Sequence, residues 1–431
     1  MNPEFRRQLW LQFSPTRLII LPLLLLACFT AVALSSPAVW HNAFAVIGAI
    51  LFCGLVWGMG TMAAGASVID EVTDRTWDQQ RMSAMRPWAM TWGKLAGASA
   101  YGWYGGALCL LVALPCALLG ELRPLAPVAT LGAILAGVFL QALLIAVNLQ
   151  LVKAGGSTAR RAGGWPMLMF LLLLFILIRA LSNAQVLWWQ WQFNSLHFVV
   201  ASLALFALCA LVAAWRTMAE VLAVRQMPWG WPALALVLSG YFAGFAPSHH
   251  LQLLGVIGLG TCIVLTYFAL LSEPQPRPLW QRIVARLADS QWVAALQQLP
   301  RWPSTLLLGL VFAAWTMLSW DWQPGANAVM PLTWQPLAVV LFVLRDCALA
   351  LYFAFSSTGR RPVPAFLVLM LVLYGLLPWL LGSLGGMMLV LPLAGHPMLS
   401  IGVAAVHAAV ALGLLRSRWL ASAPQLPRQS S

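Results

Sequence analysis

A chain of 431 residues has room for two or three soluble domains, but 61% of its residues are hydrophobic and only 8% are charged, which excludes a string of water-facing globules. Apolar runs of about 20 residues recur from end to end, each long enough to cross a hydrocarbon core of ~30 Å as a helix. The net charge of +13 invites a nucleic-acid partner, yet in a membrane protein an excess of Lys and Arg on the cytoplasmic side accounts for it, so no nucleic acid is expected.

Residues 1–17 form an amphipathic lead in which Phe5, Leu9 and Phe13 share one helical face and Arg6 and Arg7 lie elsewhere, a pattern suited to the inner membrane surface. Twelve spans follow, at 18–35, 43–67, 95–119, 127–152, 165–181, 197–215, 233–248, 251–271, 304–320, 335–357, 364–382 and 398–415. Since the lipid-exposed backbone must bond to itself, these are helices, and the fold class is all-α and polytopic. Ala31-Val32-Ala33 has the small residues of a signal-peptidase site, but the run before it is longer than a signal h-region and reads as span 1. With both termini cytoplasmic, nearly all Lys and Arg fall inside; Arg123 and Arg179 lie outside or near that edge, and Arg345 lies within a span. The domains are then the lead, a six-span unit at 18–215, a second at 216–415, and a disordered cytoplasmic tail at 416–431.

Gly54 and Gly58 in span 2, and Ala98, Gly102 and Gly106 in span 3, have the spacing of closely packed membrane helices. Between these spans lies the most charged window, where residues 69–92 read as a helical excursion on the cytoplasmic surface. Glu71 with Arg75, and Asp78 with Arg81, have the spacing of helical ion pairs worth roughly 0.3 kcal/mol each. Trp77, Ala84, Met85 and Trp88 give the helix an apolar face, Pro87 stops it, and Trp92-Gly93-Lys94 starts span 3 with Lys94 at the membrane boundary. Gln141 and Asn148 share one face of span 4, as a polar path or as hydrogen-bonding groups for a neighbouring helix. Trp40, Trp188, Trp189, Trp191, Trp322 and Trp334 in the outer loops suit an interfacial belt. A second amphipathic cytoplasmic loop, 273–303, carries Leu279, Trp280, Ile283, Val284 and Leu287 in one stripe.

No phosphate loop, zinc-protease or nucleophile-elbow signature is present. The seven cysteines all fall in spans without ligand spacing, and His249 and His250 point apart in an outer turn, so no metal or bound cofactor is expected. Arg345 and Asp346 in span 10 are the exception to the oily interior and a functional hypothesis by default, with His407 in span 12 as a partner. Being adjacent, the two diverge by about 100° on a helix and are not expected to pair with each other.

The order Glu71, Thr76, Pro87, Gly93, Lys94, together with the lead "NPEFRRQLWLQFSPTRLI", resembles the permease subunits of type-2 ATP-binding-cassette (ABC) exporters over residues 1–215. Arg75 stands where that family carries Gly, and the family unit has six spans rather than twelve. The resemblance implies a non-enzymatic transport subunit of the bacterial cytoplasmic membrane, working in the lipid bilayer as a homo- or heterodimer of permease units. It implies a separate ATPase subunit, carrying ATP and Mg, docked on a coupling helix at Glu71, Arg75, Thr76, Trp77, Asp78, Arg81, Met85 and Pro87, with Gly93 and Lys94 opening span 3. Gln141, Asn148, Arg345, Asp346 and His407 are the candidate translocation path. Two alternatives remain. One is a membrane-embedded transferase on a lipid-linked substrate, which would want clustered outer charges where only Glu121, Arg123 and Asp321 stand out. The other is a proton-coupled secondary transporter using Asp346.

Overall fold

A computed structural model describes residues 2–35, 40–83, 85–120, 123–153, 165–182, 184–224, 226–246, 250–319, 335–355, 362–383, 386–392 and 396–421. Ala84, Glu121, His249, Asp321, Trp322, Trp334 and residues 422–431 of the tail lie outside the described residues, as does the side chain of His250. Packing divides the chain into two units, Met1–Leu187 with Trp191–Gln226, and Trp188–Gln190 with Met227–Ser431.

The first unit begins with α1 (Pro3–Gln12), capped by the Asn2 side chain accepting from the Glu4 N–H at 3.0 Å. The helices α2 (Pro15–Ser35) and α3 (Trp40–Phe52) follow. The latter runs through a π-helical stretch, Cys53–Gly60, into α4 (Thr61–Thr73), making one apolar helix of 34 residues. After the short α5 (Trp77–Arg81) come α6 (Pro87–Ala98), α7 (Ala100–Leu119), α8 (Ala126–Lys153) and α9 (Trp165–Ala180). A hairpin of β1 (Gln185–Trp188) and β2 (Trp191–Asn194) leads to α10 (Ser195–Val221), which runs through position 215. Within this unit α8 packs along α10 and α4, α3 along α7, and α1 across α6. Pro22 in α2 and Pro115 in α7 sit inside membrane-length helices, a setting in which proline is tolerated.

The second unit holds α11 (Gly230–Ala243), α12 (His250–Ser272), α13 (Arg277–Ala288), α14 (Trp292–Leu296), α15 (Trp302–Ser319), α16 (Pro336–Ala354), α17 (Pro362–Leu371), a π-helical turn Val372–Leu376, α18 (Leu377–Gly382) and α19 (Pro397–Ala421). In it α12 packs on α15 and α11, and α16 on α19. In the 273–303 loop, Ile283 of the expected stripe is buried while Val284 and Leu287 are exposed. The indoles of Trp188 and Trp189 belong to this unit and donate to the carbonyls of Tyr241 and Gly240 at 2.9 and 3.0 Å.

Each of the twelve expected spans overlaps helix among the described residues, with the span at 95–119 divided between α6 and α7, and ten helices there are long and apolar enough to cross a membrane. The expected spans at 165–181 and 233–248 correspond to shorter apolar helices. The chain is an all-α, multi-pass membrane protein, with one short β-hairpin among the described residues. Gly102 and Gly106 lie in tight helix crossings against Leu55 and Val56, whereas a Cβ at Gly54 or Gly58 would meet nothing. The small-residue reading therefore fits α7 and not the π-helical stretch.

Candidate functional site

The charged window is not one surface helix. Glu71 belongs to the last turn of α4, which ends in a Schellman motif: the Thr76 N–H bonds the Glu71 carbonyl at 3.0 Å and the Arg75 N–H bonds that of Val72 at 3.3 Å. Such an ending places a left-handed residue just past the helix, and Arg75 takes that role at φ 59°. Thr76 caps the same carbonyl with its hydroxyl, and α5 then makes little more than one turn. Pro87 starts α6 rather than stopping a helix, because its fixed φ and missing N–H suit the first helical position. Asp78 and Arg81 lie on the exposed side, 3.6 Å apart, and Met82 is exposed beside them. Trp77 turns inward and packs with Val68, Met90, Leu149 and Met218, with Met85 against the same cluster.

The expected Glu71–Arg75 pair does not form. Arg75 has left the helix, and Glu71 instead meets two cations from distant segments, accepting from Lys94 Nζ and from Arg7 Nη2. Lys94, expected at the membrane boundary, has no exposed side-chain surface at all. Its ammonium also reaches Glu4 Oε1 at 3.3 Å and the Ser67 carbonyl at 3.3 Å, and lies 5.6 Å from the Trp77 ring centroid. Arg7 grips Glu4 with two hydrogen bonds, at 3.0 and 2.8 Å, and Gln8 donates to the same carboxylate at 2.9 Å. Two carboxylates and two cations thus neutralise one another at the joint of α1, α4 and α6, the arrangement in which buried charge is tolerated.

Burial by itself would raise the Glu4 carboxyl, but Arg7, Lys94 and Gln8 outweigh it and hold the group at about 2, below its usual 4.5. The hydrogen bond to Glu4 likewise raises the Arg7 guanidinium, against the effect of burial.

The lead helix is therefore turned over. Glu4 and Gln8 are its buried residues, while Trp10 and Leu11 are exposed and Phe5 and Leu9 are half-buried. Close approach is possible because Gly93 and Gly97 present no side chain: a Cβ there would sit 2.6 Å from Glu4 Cγ and 2.6 Å from Gln8 Cβ. Asn2 closes the joint by donating to the Ala89 carbonyl at 2.5 Å. Glu4, Arg7, Gln8 and Gly97 were not legible as site residues, although the Gly93–Gly97 spacing and the Glu4–Gln8 spacing mark the two helix faces that meet.

Gln141 and Asn148 brace the long helix of the same unit. Gln141 donates to the Val56 carbonyl at 3.1 Å, inside the π-helical stretch, and accepts from Trp103 Nε1 at 3.0 Å. Asn148 donates to the Gly65 carbonyl at 3.0 Å.

Arg345, Asp346 and His407 belong to the second unit. Contrary to the sequence expectation, Arg345 and Asp346 pair with each other: Arg345 Nε donates to Asp346 Oδ1 at 2.8 Å. Their Cα–Cβ directions do diverge, but the long arginine arm folds back. Arg345 Nη1 lies 3.2 Å from His407 Nδ1, and its guanidinium stacks over the rings of Phe342 and Tyr374, 4.7 and 5.1 Å from their centroids. The second carboxylate oxygen of Asp346 accepts from the hydroxyls of Tyr267 and Tyr374 at 2.5 and 2.6 Å. Neither tyrosine was singled out from the sequence. Tyr374 sits in the π-helical turn of this unit, a deviation common where a side chain must be re-aimed.

No protein-family model matches the chain, and neither does any curated protein or any solved structure.

Proposed function

We propose that the chain is the membrane-spanning permease subunit of an ABC exporter, with twelve spans, both termini cytoplasmic, and residence in the bacterial cytoplasmic membrane. A separate ATPase subunit, carrying ATP and Mg, docks on the loop around α5. The observation that carries this reading is the construction of that loop. Its outer side exposes Asp78, Arg81 and Met82, while its inner side is fixed by Trp77 in the core and by the Glu4–Arg7–Glu71–Lys94 network. A motor that pushes on a loop moves the bundle only if the loop is stiffly joined to it; Trp77 seats α5 in the core beside Lys94, and the network ties together α1, α4 and α6, the last two of which flank the loop. The left-handed conformation at Arg75 adds support, because it is the conformation that glycine, the residue of the resembling family at this position, adopts most easily.

In a reconstituted complex, Arg75→Glu with Arg81→Glu is expected to uncouple ATP hydrolysis from transport while the subunit remains folded. Unchanged coupling would overturn the assignment. A second reading, proton-coupled transport without an ATPase, draws on the buried Asp346 with its tyrosine donors. It requires transport by the chain alone in proteoliposomes carrying a proton gradient, abolished by Asp346→Asn.

A further inference from the structure

Beside the Asp346 cluster lies a cavity of about 470 Å³ in the second unit, within the size range of about 300–1,000 Å³ that holds small ligands. Tyr267, Phe342, Phe366, Leu367, Met370 and Tyr374 form most of its wall, from α12, α16, α17 and the π-helical turn. Apart from the two phenols and the Met370 thioether this wall is hydrocarbon, and three of its members also belong to the ionic cluster: Tyr267 and Tyr374 hold Asp346, and Phe342 lies under Arg345.

Two features decide what fits. The first is where the cavity opens. Leu271, Leu367 and Tyr374 of its wall are all exposed, and the same helices carry exposed Val264, Phe268, Val368 and Leu371, so the cavity is a groove open along its length. In a membrane-spanning helix such a face meets lipid, so the molecule at hand is a lipid chain rather than a water-soluble ligand. A chain lying along this wall gains dispersion contacts with its apolar side chains. The second feature is hydrogen-bond polarity. A phenol has one proton, and those of Tyr267 and Tyr374 are both committed to Asp346, which leaves only acceptor lone pairs. A carboxylate or ester carbonyl at that end would face acceptors, whereas a methyl terminus meets no mismatch.

We propose that this cavity binds an acyl chain of a bilayer phospholipid, with its methyl end against Tyr267 and Tyr374 and its glycerol end toward Leu271 and Leu367. The site is independent of ATPase docking and exists whether or not the chain is an exporter subunit.

The test uses the full chain in nanodiscs containing a phosphatidylcholine with a photoactivatable diazirine on one acyl chain, with labelled residues mapped by mass spectrometry. A diazirine at the terminal carbon is expected to mark Tyr267, Met370 and Tyr374. One next to the carbonyl is expected to mark Leu271 and Leu367. Met370→Trp, which fills the cavity, should abolish the first set and leave labelling of the exposed Leu111 and Leu208 in the other unit unchanged. Labelling spread evenly over exposed apolar positions, or a reversed order along the chain, overturns the proposal without recourse to any variant. Full terminal-carbon labelling in a folded Met370→Trp protein overturns it as well.

Discussion

Replacing Lys94 by Met exposes how much the ionic joint contributes. Methionine keeps most of the side-chain volume but leaves Glu4 and Glu71, both nearly inaccessible, with Arg7 as the cation they still share. Removing one partner of a buried pair typically costs about 3–5 kcal/mol, because the charge left behind is neither solvated nor paired. Arg7 cannot substitute, since its side chain is 41% exposed and its attraction is correspondingly screened. The loss should appear first as opening of residues 74–86, so the assay is limited proteolysis of the purified protein in micelles, where fast opening makes the cleavage rate follow the opening equilibrium. An increase of two to three orders of magnitude in cleavage at that loop is expected from about 3–4 kcal/mol. Adding Glu71→Gln removes the stranded charge, so the double variant should recover about 1–3 kcal/mol relative to the sum of the singles. Cleavage unchanged in Lys94→Met, or strict additivity in the double variant, would refute the idea that this network holds the loop.

Three further outcomes follow from the same geometry. Arg75→Gly should raise the thermal midpoint, since a left-handed L-residue costs roughly 1–2 kcal/mol and glycine's greater unfolded freedom offsets only part of the gain, whereas Arg75→Val should lower it. Because the Glu4 carboxyl is depressed in the fold, its contribution is complete above about pH 4.5 and disappears as the pH falls toward about 2; the hydrogen-exchange protection of residues 3–12, taken relative to the intrinsic rate at each pH, should fall within that window and stay constant above it. Asp346→Asn strands the Arg345 guanidinium, which is 4% exposed, and should cost about 3–5 kcal/mol. By comparison Tyr374→Phe removes one of two donors to the same oxygen and should cost about 2 kcal/mol, an order of effect that thermal unfolding of the two variants can check.

What the sequence discloses here depends on how local its cause is. Apolar runs place helices correctly because a run of that length carries its own reason to be helical in lipid. The turned-over lead helix had no such local cause: Phe5, Leu9 and Phe13 form the obvious apolar face, yet Glu4 and Gln8 face inward because Lys94 and two glycines, far along the chain, receive them. Pro87 was misjudged because proline ends one helix and begins another with equal ease, and only the position of the next helix decides. Arg75 hides a left-handed turn that glycine would have announced. The pairing of Arg345 with Asp346 was missed by reasoning from backbone directions alone, which ignores the reach of a guanidinium. Neither π-helical stretch carries a pattern that would separate it from the α-helix around it.

The joint also sets an order of events during synthesis. Glu4 and Lys94 are separated by 90 positions, so at about 5–20 residues per second the lead helix waits several seconds for its lysine to be made. Meanwhile Glu4 and Arg7, three residues apart, can neutralise each other at the membrane surface. The lead is therefore free until the third long apolar helix of the chain starts to emerge, and its capture by Lys94 and the two glycines registers that α4 and α6 have come together.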